Sequence, residues 1–320
     1  MANISSDRSD SSIQYKSIPT KNNENNICVV TVTFNSEKYL EMFFSAMNKQ
    51  KVSGTLIIVD SNSKDNTIGF IENNKNRIMN WECILLKQND NVGIAAGNNI
   101  GIEKAMDIGA EVIVLINNDI DMKEDTLDKL VKNTVEKNCV SVPLIYYGEP
   151  NDKIWYSGGG FSWLKGMNFH SELTPKSKVI DVDYAPTCCM VLKPDFIRKV
   201  GMMDEEYFMY FDDTDFCARL LKNNIKIEVI TDSVLYHYVG SSTGGEGSPL
   251  SLYFASRNRV KFILKNSPKL YIIISLGYFF TTRLIKLSIL LLKDRKKAWY
   301  LLISLLDVLN NNYGKGRFVK

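Results

Sequence analysis

Four short stretches of this chain carry side chains able to do chemistry, and a lone histidine adds a fifth. Val59-Asp60-Ser61-Asn62-Ser63 places a carboxylate directly after an apolar run. There it can accept from a base imide or a ribose hydroxyl, or cap the helix that follows, as Asp and Ser often do. Asn117-Asn118-Asp119, followed by Asp121, puts oxygen ligands after another apolar run. Such a set suits a hard cation, Mg²⁺ or Mn²⁺, bridging a diphosphate, and it equally suits a turn. Asp212, Asp213 and Asp215 crowd three acids into four positions behind the aromatic run Tyr207-Phe208-Met209-Tyr210-Phe211. Apolar neighbours raise a carboxylate pKa and favour a general base. The alternative is helix capping, with Arg219 four residues on simply pairing with Asp215. Glycines 93, 97 and 101 recur every four residues. That spacing lines one helical face, for close approach of either a ligand or a strand. His237, one of only two histidines, follows a strand-like run and is open to a metal or a structural role.

The elements around these residues alternate. Residues 27–32, 55–59, 83–86 and 111–116 are short, β-branched apolar runs, the pattern of strands buried on both faces. Residues 37–48, 65–73, 94–107 and 123–137 read as helices. Strand–helix alternation predicts βαβ units and a mostly parallel sheet, with the polar groups just past the strand C-termini, where open α/β sheets bind ligands. Residues 140–245 read as α+β, with a helix at 216–222, a strand at 225–230, and loop signals at Gly158-Gly159-Gly160 and at 244–247. Internal repeats are absent. So are a GxxxxGK[ST] loop and a GxGxxG after the first strand, which argues against a P-loop NTPase, a dinucleotide oxidoreductase and a nucleotidyltransferase.

The 320 residues are 45% hydrophobic and 23% charged, enough for a large core or two coupled domains. Six scattered cysteines without CxxC spacing predict reduced core thiols. The net charge of +3 argues against general nucleic-acid binding. Residues 251–320 hold 14 Lys/Arg against 2 Asp/Glu, leaving 25 against 34 for the rest. An acidic body with a basic, apolar tail suggests one end facing an anionic surface. Residues 270–292 are long enough to span a bilayer, but Arg283 and Lys286 near the middle would cost about 2.5–3.5 kcal/mol each. Three positions apart, they share a helical face. A helix lying in the interface with both heads in water is the expectation, followed by the basic cluster at 293–297 and a second apolar stretch at 298–309. Residues 1–26 are polar and lack an apolar signal core, which predicts a disordered leader.

Taken in order, these motifs resemble the family 2 inverting glycosyltransferases with the GT-A nucleotide-sugar fold, and among them the rhamnosyltransferase-type enzymes of bacterial surface-polysaccharide assembly. The resemblance covers residues 27–265. It rests on Val32-Thr33-Phe34-Asn35, Val59-Asp60-Ser61-Asn62-Ser63, Asn91-Val92-Gly93 to Gly101, Leu115-Ile116-Asn117-Asn118-Asp119, Tyr207-Phe208-Met209-Tyr210-Phe211-Asp212-Asp213, His237 with Gly240 and Ser241, and Tyr253 to Arg257-Asn258. It implies a Rossmann-like α/β sheet with a nucleotide-sugar half at 27–120, an acceptor and catalytic half at 121–248, and a membrane-associating helical segment at 249–320. It implies that Thr33, Asn35, Asp60, Gly93, Asn98 and Asn118 bind the nucleotide sugar. Asp119 and His237 would hold Mg²⁺ or Mn²⁺ with the diphosphate, and Asp213 would be the catalytic base beside Asp212. The implied substrates are a nucleotide sugar, with dTDP-rhamnose first, and a polyprenyl-linked or glycan acceptor. The implied location is the cytoplasmic face of the cell membrane. Two departures stand out: Asn117 replaces the first acid of the metal motif, and Asp212 replaces the Glu of the family's Glu-Asp pair, which leaves open which acid is the base. Competing readings are a catalytically inactive nucleotide-sugar-binding scaffold and a nucleotidyltransferase.

Overall fold

The computed structural model describes residues 26–149, 152–238 and 247–319. Residues 1–25 of the expected leader, Gly240, Ser241 and residues 244–246 lie outside them. The chain runs β1 (Ile27–Thr33), α1 (Glu37–Asn48), β2 (Gly54–Asp60), α2 (Thr67–Asn74), β3 (Trp81–Lys87), α3 (Gly93–Asp107), β4 (Val112–Ile116), β5 (Ile120–Met122) and α4 (Thr126–Lys137). Next come β6 (Val140–Tyr147), β7 (Ile154–Tyr156), β8 (Gly158–Ser162), β9 (Met167–Ser171), β10 (Val179–Val182), β11 (Cys189–Leu192), α5 (Pro194–Val200), α6 (Asp212–Lys222) and β12 (Ile227–His237). Three helices close the chain: α7 (Pro249–Asn266), α8 (Lys269–Lys293) and α9 (Arg295–Leu309).

One sheet, ordered β10-β12-β6-β11-β4-β1-β2-β3, forms the frame, with β5 added on β12 and β7 on β6. Strands β4, β1, β2 and β3 are parallel. β11 runs antiparallel between β4 and β6, and β12 is parallel to β6. The β-branched runs of β1, β2 and β4 are buried on both faces, as a central parallel sheet requires. The glycine stripe of α3 is explained by packing on that sheet. A Cβ on Gly97 would lie 2.7 Å from Val32 Cγ1, and one on Gly101 would lie 2.2 Å from Val30 Cγ1. The cysteines are free thiols, all buried except the half-buried Cys83.

Two details depart from the sequence reading. Gly158-Gly159-Gly160 starts strand β8 of the β8–β9 hairpin and is not a loop. Glycine is needed there because a Cβ on Gly159 would sit 2.6 Å from the Phe169 carbonyl oxygen and 2.9 Å from the Tyr184 ring. β12 continues through a register shift between Ile230 and Val234 and carries His237 at its end. Both expected halves contribute to the one sheet, since β11 of the second pairs with β4 of the first. α7 is buried along most of its length, and α9 contributes Ile303 to a cluster with Phe208, Tyr253 and Phe254.

Candidate active site

The C-terminal ends of β1, β2 and β4 lie side by side and bring the first two motifs together. Thr33 donates to Asp60 Oδ2 at 2.9 Å. Ser63 donates to the same carboxylate twice, from its hydroxyl at 2.6 Å and its backbone N–H at 2.9 Å. Asp60 therefore does not cap α2. It is buried and braces the loop after β2, with about one of its roughly four lone-pair directions left over. Asn35, with φ of 51°, accepts from the Lys64 N–H at 2.7 Å, and its own N–H donates to Ser63 Oγ at 2.9 Å. Asn118 closes the third side, donating to the Val32 carbonyl at 2.6 Å.

Gly93 opens α3 with φ of +81° and faces the aromatic turn. A Cβ there would meet the Phe208 carbonyl oxygen at 2.5 Å, and that carbonyl accepts from the Ile94 N–H at 2.8 Å. Asn98 does not fit the expected nucleotide contact. Its amide is buried and turned toward Met203 Sδ at 3.6 Å, where it packs the chain ahead of the aromatic turn.

The end of β4 meets the end of β12. Asp119 Oδ1 lies 3.2 Å from His237 Nε2, and Asn117 Nδ2 lies 3.4 Å from the same nitrogen. Trp155 packs edge-on against the imidazole at 4.9 Å between centroids. The spacing of Asp119 and His237 is close to the ~3 Å edge of an octahedron with bonds of about 2.1 Å. Among the described residues no three His, Cys, Asp or Glu side chains cluster, so the chain offers one carboxylate, one imidazole and the neutral amide of Asn117. That set fits a hard divalent ion whose other ligands are diphosphate oxygens and water. Nδ1 of His237 is buried without a partner among the described residues, where a ligating imidazole usually makes an outer hydrogen bond.

The third group is built by strain. Phe208, Tyr210 and Phe211 all have positive φ, at 56°, 63° and 70°. Single residues of this kind cost about 1–3 kcal/mol and cluster at working sites. The turn they form delivers Asp212 and Asp213 to the first turn of α6. Asp212 is buried, and burial, with the neighbouring Asp213 charge second, pushes its carboxyl up to about 8. Asp213 is partly exposed. Its Oδ2 accepts from the Tyr184 hydroxyl at 2.7 Å, and its Oδ1 accepts from the Thr214 N–H at 2.6 Å with the Thr214 hydroxyl at 3.0 Å. Burial holds the Tyr184 phenol well above its ordinary range, which keeps it a donor. Asp215 pairs with Arg219 at 2.8 Å and with Lys265 at 2.9 Å, so the third acid of the cluster is structural.

An aromatic row joins Asp213 to the Asp119–His237 pair. Tyr184 stacks on His170 at 5.4 Å, His170 packs on Trp155 at 5.1 Å, and Trp155 packs on His237. On the other side the Ser61 hydroxyl lies 3.2 Å from Asn91 Oδ1, which accepts from the Gly93 N–H at 3.1 Å, and Gly93 meets Phe208. The sites at 60, 119, 213 and 237 are thus linked around one end of the sheet.

Sequence reasoning did not single out Tyr184, Trp155 or His170, and it assigned no role to Asn258. Asn258 Nδ2 reaches the carbonyls of Tyr207, Met209 and Tyr210 at 2.7, 2.9 and 3.0 Å, clamping the strained turn. Arg257 Nε holds Asn258 Oδ1 at 3.0 Å, and Arg257 is in turn bonded to the Gly314 carbonyl at 2.7 Å. The only available signal was the Arg257-Asn258 pair itself.

Comparison with known proteins agrees with this geometry. The dTDP-rhamnosyl transferase RfbF of Shigella flexneri is 24% identical over 304 residues, covering 92% of this chain and 98% of that one. The mannosyltransferase PcManGT of Pyrobaculum calidifontis, solved with GDP-Man and Mn²⁺, superposes with a TM-score of 0.58 at 13% identity, over 91% of this chain and 88% of that one. S. aureus TarS with UDP-GlcNAc gives a TM-score of 0.57 at 18% identity, over 88% and 81%. These likenesses establish the GT-A fold. Residues 28–199 match the family described as Glycosyl transferase family 2, a span that takes in β1 to α5 and the motifs at 33, 60 and 119, and the chain belongs to that family of glycosyltransferases.

Proposed function

We propose that this glycosyltransferase moves a sugar, with rhamnose from dTDP-rhamnose the first candidate, from a nucleoside diphosphate to a lipid-linked or glycan acceptor with inversion at the anomeric carbon. The observation that carries the reading is Asp213. It is the one partly exposed acid of the cluster at the start of α6, oriented by Tyr184 and Thr214, at the head of an aromatic row leading to Asp119 and His237. Asp213 takes the acceptor hydroxyl proton, and the oxygen attacks from the face opposite the nucleotide. Asp212, held protonated by its raised pKa, leaves the proton-accepting role to its neighbour. Thr33, Asn35 and Asp60, with Gly93 and Asn118, line the nucleotide end. Asp119 and His237 would hold a divalent cation, whose charge offsets that of the departing diphosphate. RfbF being named a dTDP-rhamnosyl transferase supports the choice of donor.

The acceptor reading rests on the tail. Leu270, Ile273, Leu292 and Leu309 are exposed apolar residues on α8 and α9, among Lys269, Lys286, Lys293, Arg295 and Lys296. α8 is long and apolar enough to cross a membrane by length and composition, yet Lys286 interrupts it, so we favour a helix lying on the cytoplasmic leaflet. A donor panel of dTDP-, UDP- and GDP-sugars, read by nucleoside diphosphate release with membrane extract as acceptor, tests the whole reading. Asp213→Asn should lower kcat about 10²–10⁴-fold on the preferred donor. Near-normal turnover in that variant removes Asp213 from the role, and pyrophosphate release in place of nucleoside diphosphate removes glycosyl transfer.

A further inference from the structure

The cations around α6 and α7 mostly have a counter-charge among the described residues. Arg219 pairs with Asp215, Lys261 with Asp204, and Lys265 with both Asp204 and Asp215. Arg257 lies beside Tyr253, whose hydroxyl bonds Asp307 at 2.6 Å. Arg259 and Arg283 break this rule. Arg259 is buried, and its hydrogen bonds among the described residues go only to the Lys165 carbonyl. Arg283 is half-buried, and its Nε is sealed from solvent with no partner among the described residues. Both guanidiniums pack on the same ring, Phe279, at 5.5 and 5.4 Å from its centroid. Neither has a carboxylate within salt-bridge distance among the described residues. Burial, and then the Arg283 charge, lower the Arg259 pKa to about 10, as expected of adjacent like charges. The expectation that Arg283 and Lys286 both reach into water is corrected here: Lys286 is exposed, while Arg283 turns back onto Phe279.

Guanidiniums placed on one buried ring with no carboxylate partner are costly unless an anion comes from outside. The surroundings say which one. The tip of the β8–β9 hairpin is fastened to this spot. Arg259 bonds the Lys165 carbonyl, Ser275 donates to the Trp163 carbonyl at 2.5 Å, and a Cβ on Gly166 would strike Ile263 and Ser275. The exposed Lys165 lines a cavity of about 430 Å³ with Phe161, Ser162, Met167, Asn168 and Phe169. Asn168 Oδ1 is 3.3 Å from the Thr214 hydroxyl, which is 3.0 Å from Asp213 Oδ1. The cavity therefore lies between Lys165, whose carbonyl Arg259 holds, and Asn168, which reaches Thr214 beside Asp213. Beyond the pair lies the exposed apolar face of α8.

We propose that Arg259 and Arg283, with Lys165 and Lys286 at its edge, form a phosphate- or diphosphate-binding site that receives the anionic head group of the acceptor lipid. The anion site stands on the geometry alone; its lipid source rests on the lipid-linked acceptor proposed above. The sugar end of such an acceptor would lie along the β8–β9 cavity toward Asp213, and its hydrocarbon would leave over α8.

Binding to the full chain tests this without any use of turnover. The probes are inorganic pyrophosphate, followed by calorimetry, and vesicles of phosphatidylcholine with and without a polyprenyl phosphate, followed by flotation. All are measured without divalent cations. Arg283→Gln should weaken pyrophosphate binding about tenfold or more and abolish the preference for polyprenyl phosphate vesicles, and Arg283→Lys should restore part of both. Nucleoside diphosphate binding at the strand ends should not change. Removing an uncompensated cation should leave the thermal midpoint level or raise it. Wild-type affinity for both probes in Arg283→Gln overturns the site. Arg283-dependent binding of pyrophosphate with no preference for polyprenyl phosphate vesicles overturns the lipid source and assigns the site to a soluble phosphate compound. Neither result touches the glycosyl-transfer reading, which stands or falls on Asp213→Asn.

Discussion

Removing the side chain of Asn258 should slow the enzyme far more than it unfolds it. The amide nitrogen has two N–H donors shared among the three carbonyls of Tyr207, Met209 and Tyr210. Loss of two neutral hydrogen bonds at about 1 kcal/mol each gives about 2 kcal/mol. For 320 residues the unfolding entropy is roughly 0.7 kcal/mol per degree, so Asn258→Ala should lower the thermal midpoint by only about 3 °C. Locally the balance differs. The three positive-φ residues of the turn store roughly 3–9 kcal/mol, held by the clamp together with the burial of Phe208 and Phe211, so losing the clamp's share lets the turn shift locally. Asp213 begins two residues beyond Phe211 and moves with it. A shift of about 1 Å in a reacting group costs on the order of 10²-fold. The assay is kcat by nucleoside diphosphate release at saturating donor, with donor KM measured beside it. The expected result is a kcat loss of about 10²-fold with little change in KM. In an Asp213→Asn background the same substitution should have almost no further effect, because a positioning residue acts through the group it positions. A 3 °C fall in midpoint with full kcat, or a loss that multiplies undiminished onto Asp213→Asn, would sink the reasoning.

Other outcomes follow from the same site. Asp119→Ala and His237→Ala should each remove the effect of Mn²⁺ or Mg²⁺ on nucleoside diphosphate affinity, measured by calorimetry with and without the ion. Donor binding that keeps its full ion dependence in both variants would place the cation elsewhere. Asp212 has a folded-state pKa of about 8 against an ordinary 3.8, so the folded protein holds a proton there that the unfolded chain releases. Stability from this group is fully present below about pH 4 and falls as pH rises toward 8. Asp212→Asn should therefore raise the midpoint more at pH 8 than at pH 5, and an equal change at both would show that the group is not protonated when folded. Replacing Leu270, Ile273 and Leu292 together by Glu should release the protein from anionic vesicles in a flotation assay while leaving the thermal midpoint nearly unchanged, since all three are exposed.

What the sequence made legible was local. The β-branched runs of β1, β2 and β4 announce buried parallel strands, and Asp60, Asn117 and Asp119 stand where such strands must end. The losses arose where a residue's role depends on a distant partner. The strand at 225–230 and the strand-like run before His237 read as separate pieces, because polar Thr231, Asp232 and Ser233 fill the bulge that joins them in β12. The glycines of β8 read as a loop because nothing nearby reveals the Phe169 backbone and Tyr184 ring pressed against them. α7 hides most, since a helix buried on nearly every side has no amphipathic period to read.

Within α7, Arg257 and Arg259 are two positions apart and carry the same charge, and both are buried. As letters they belong to one basic tail. In the fold their tasks separate. Arg257 is satisfied by Tyr253, Gly314 and Asn258, and through Asn258 it holds the strained turn. Arg259 meets only the Lys165 carbonyl and the rings of Tyr278 and Phe279, so its charge is left for a ligand. Sequence records how many cations a segment has. Which of them lack a counter-charge is decided by the partners that folding brings, and that distinction turns a basic tail into a positioning residue on one side and a candidate anion site on the other.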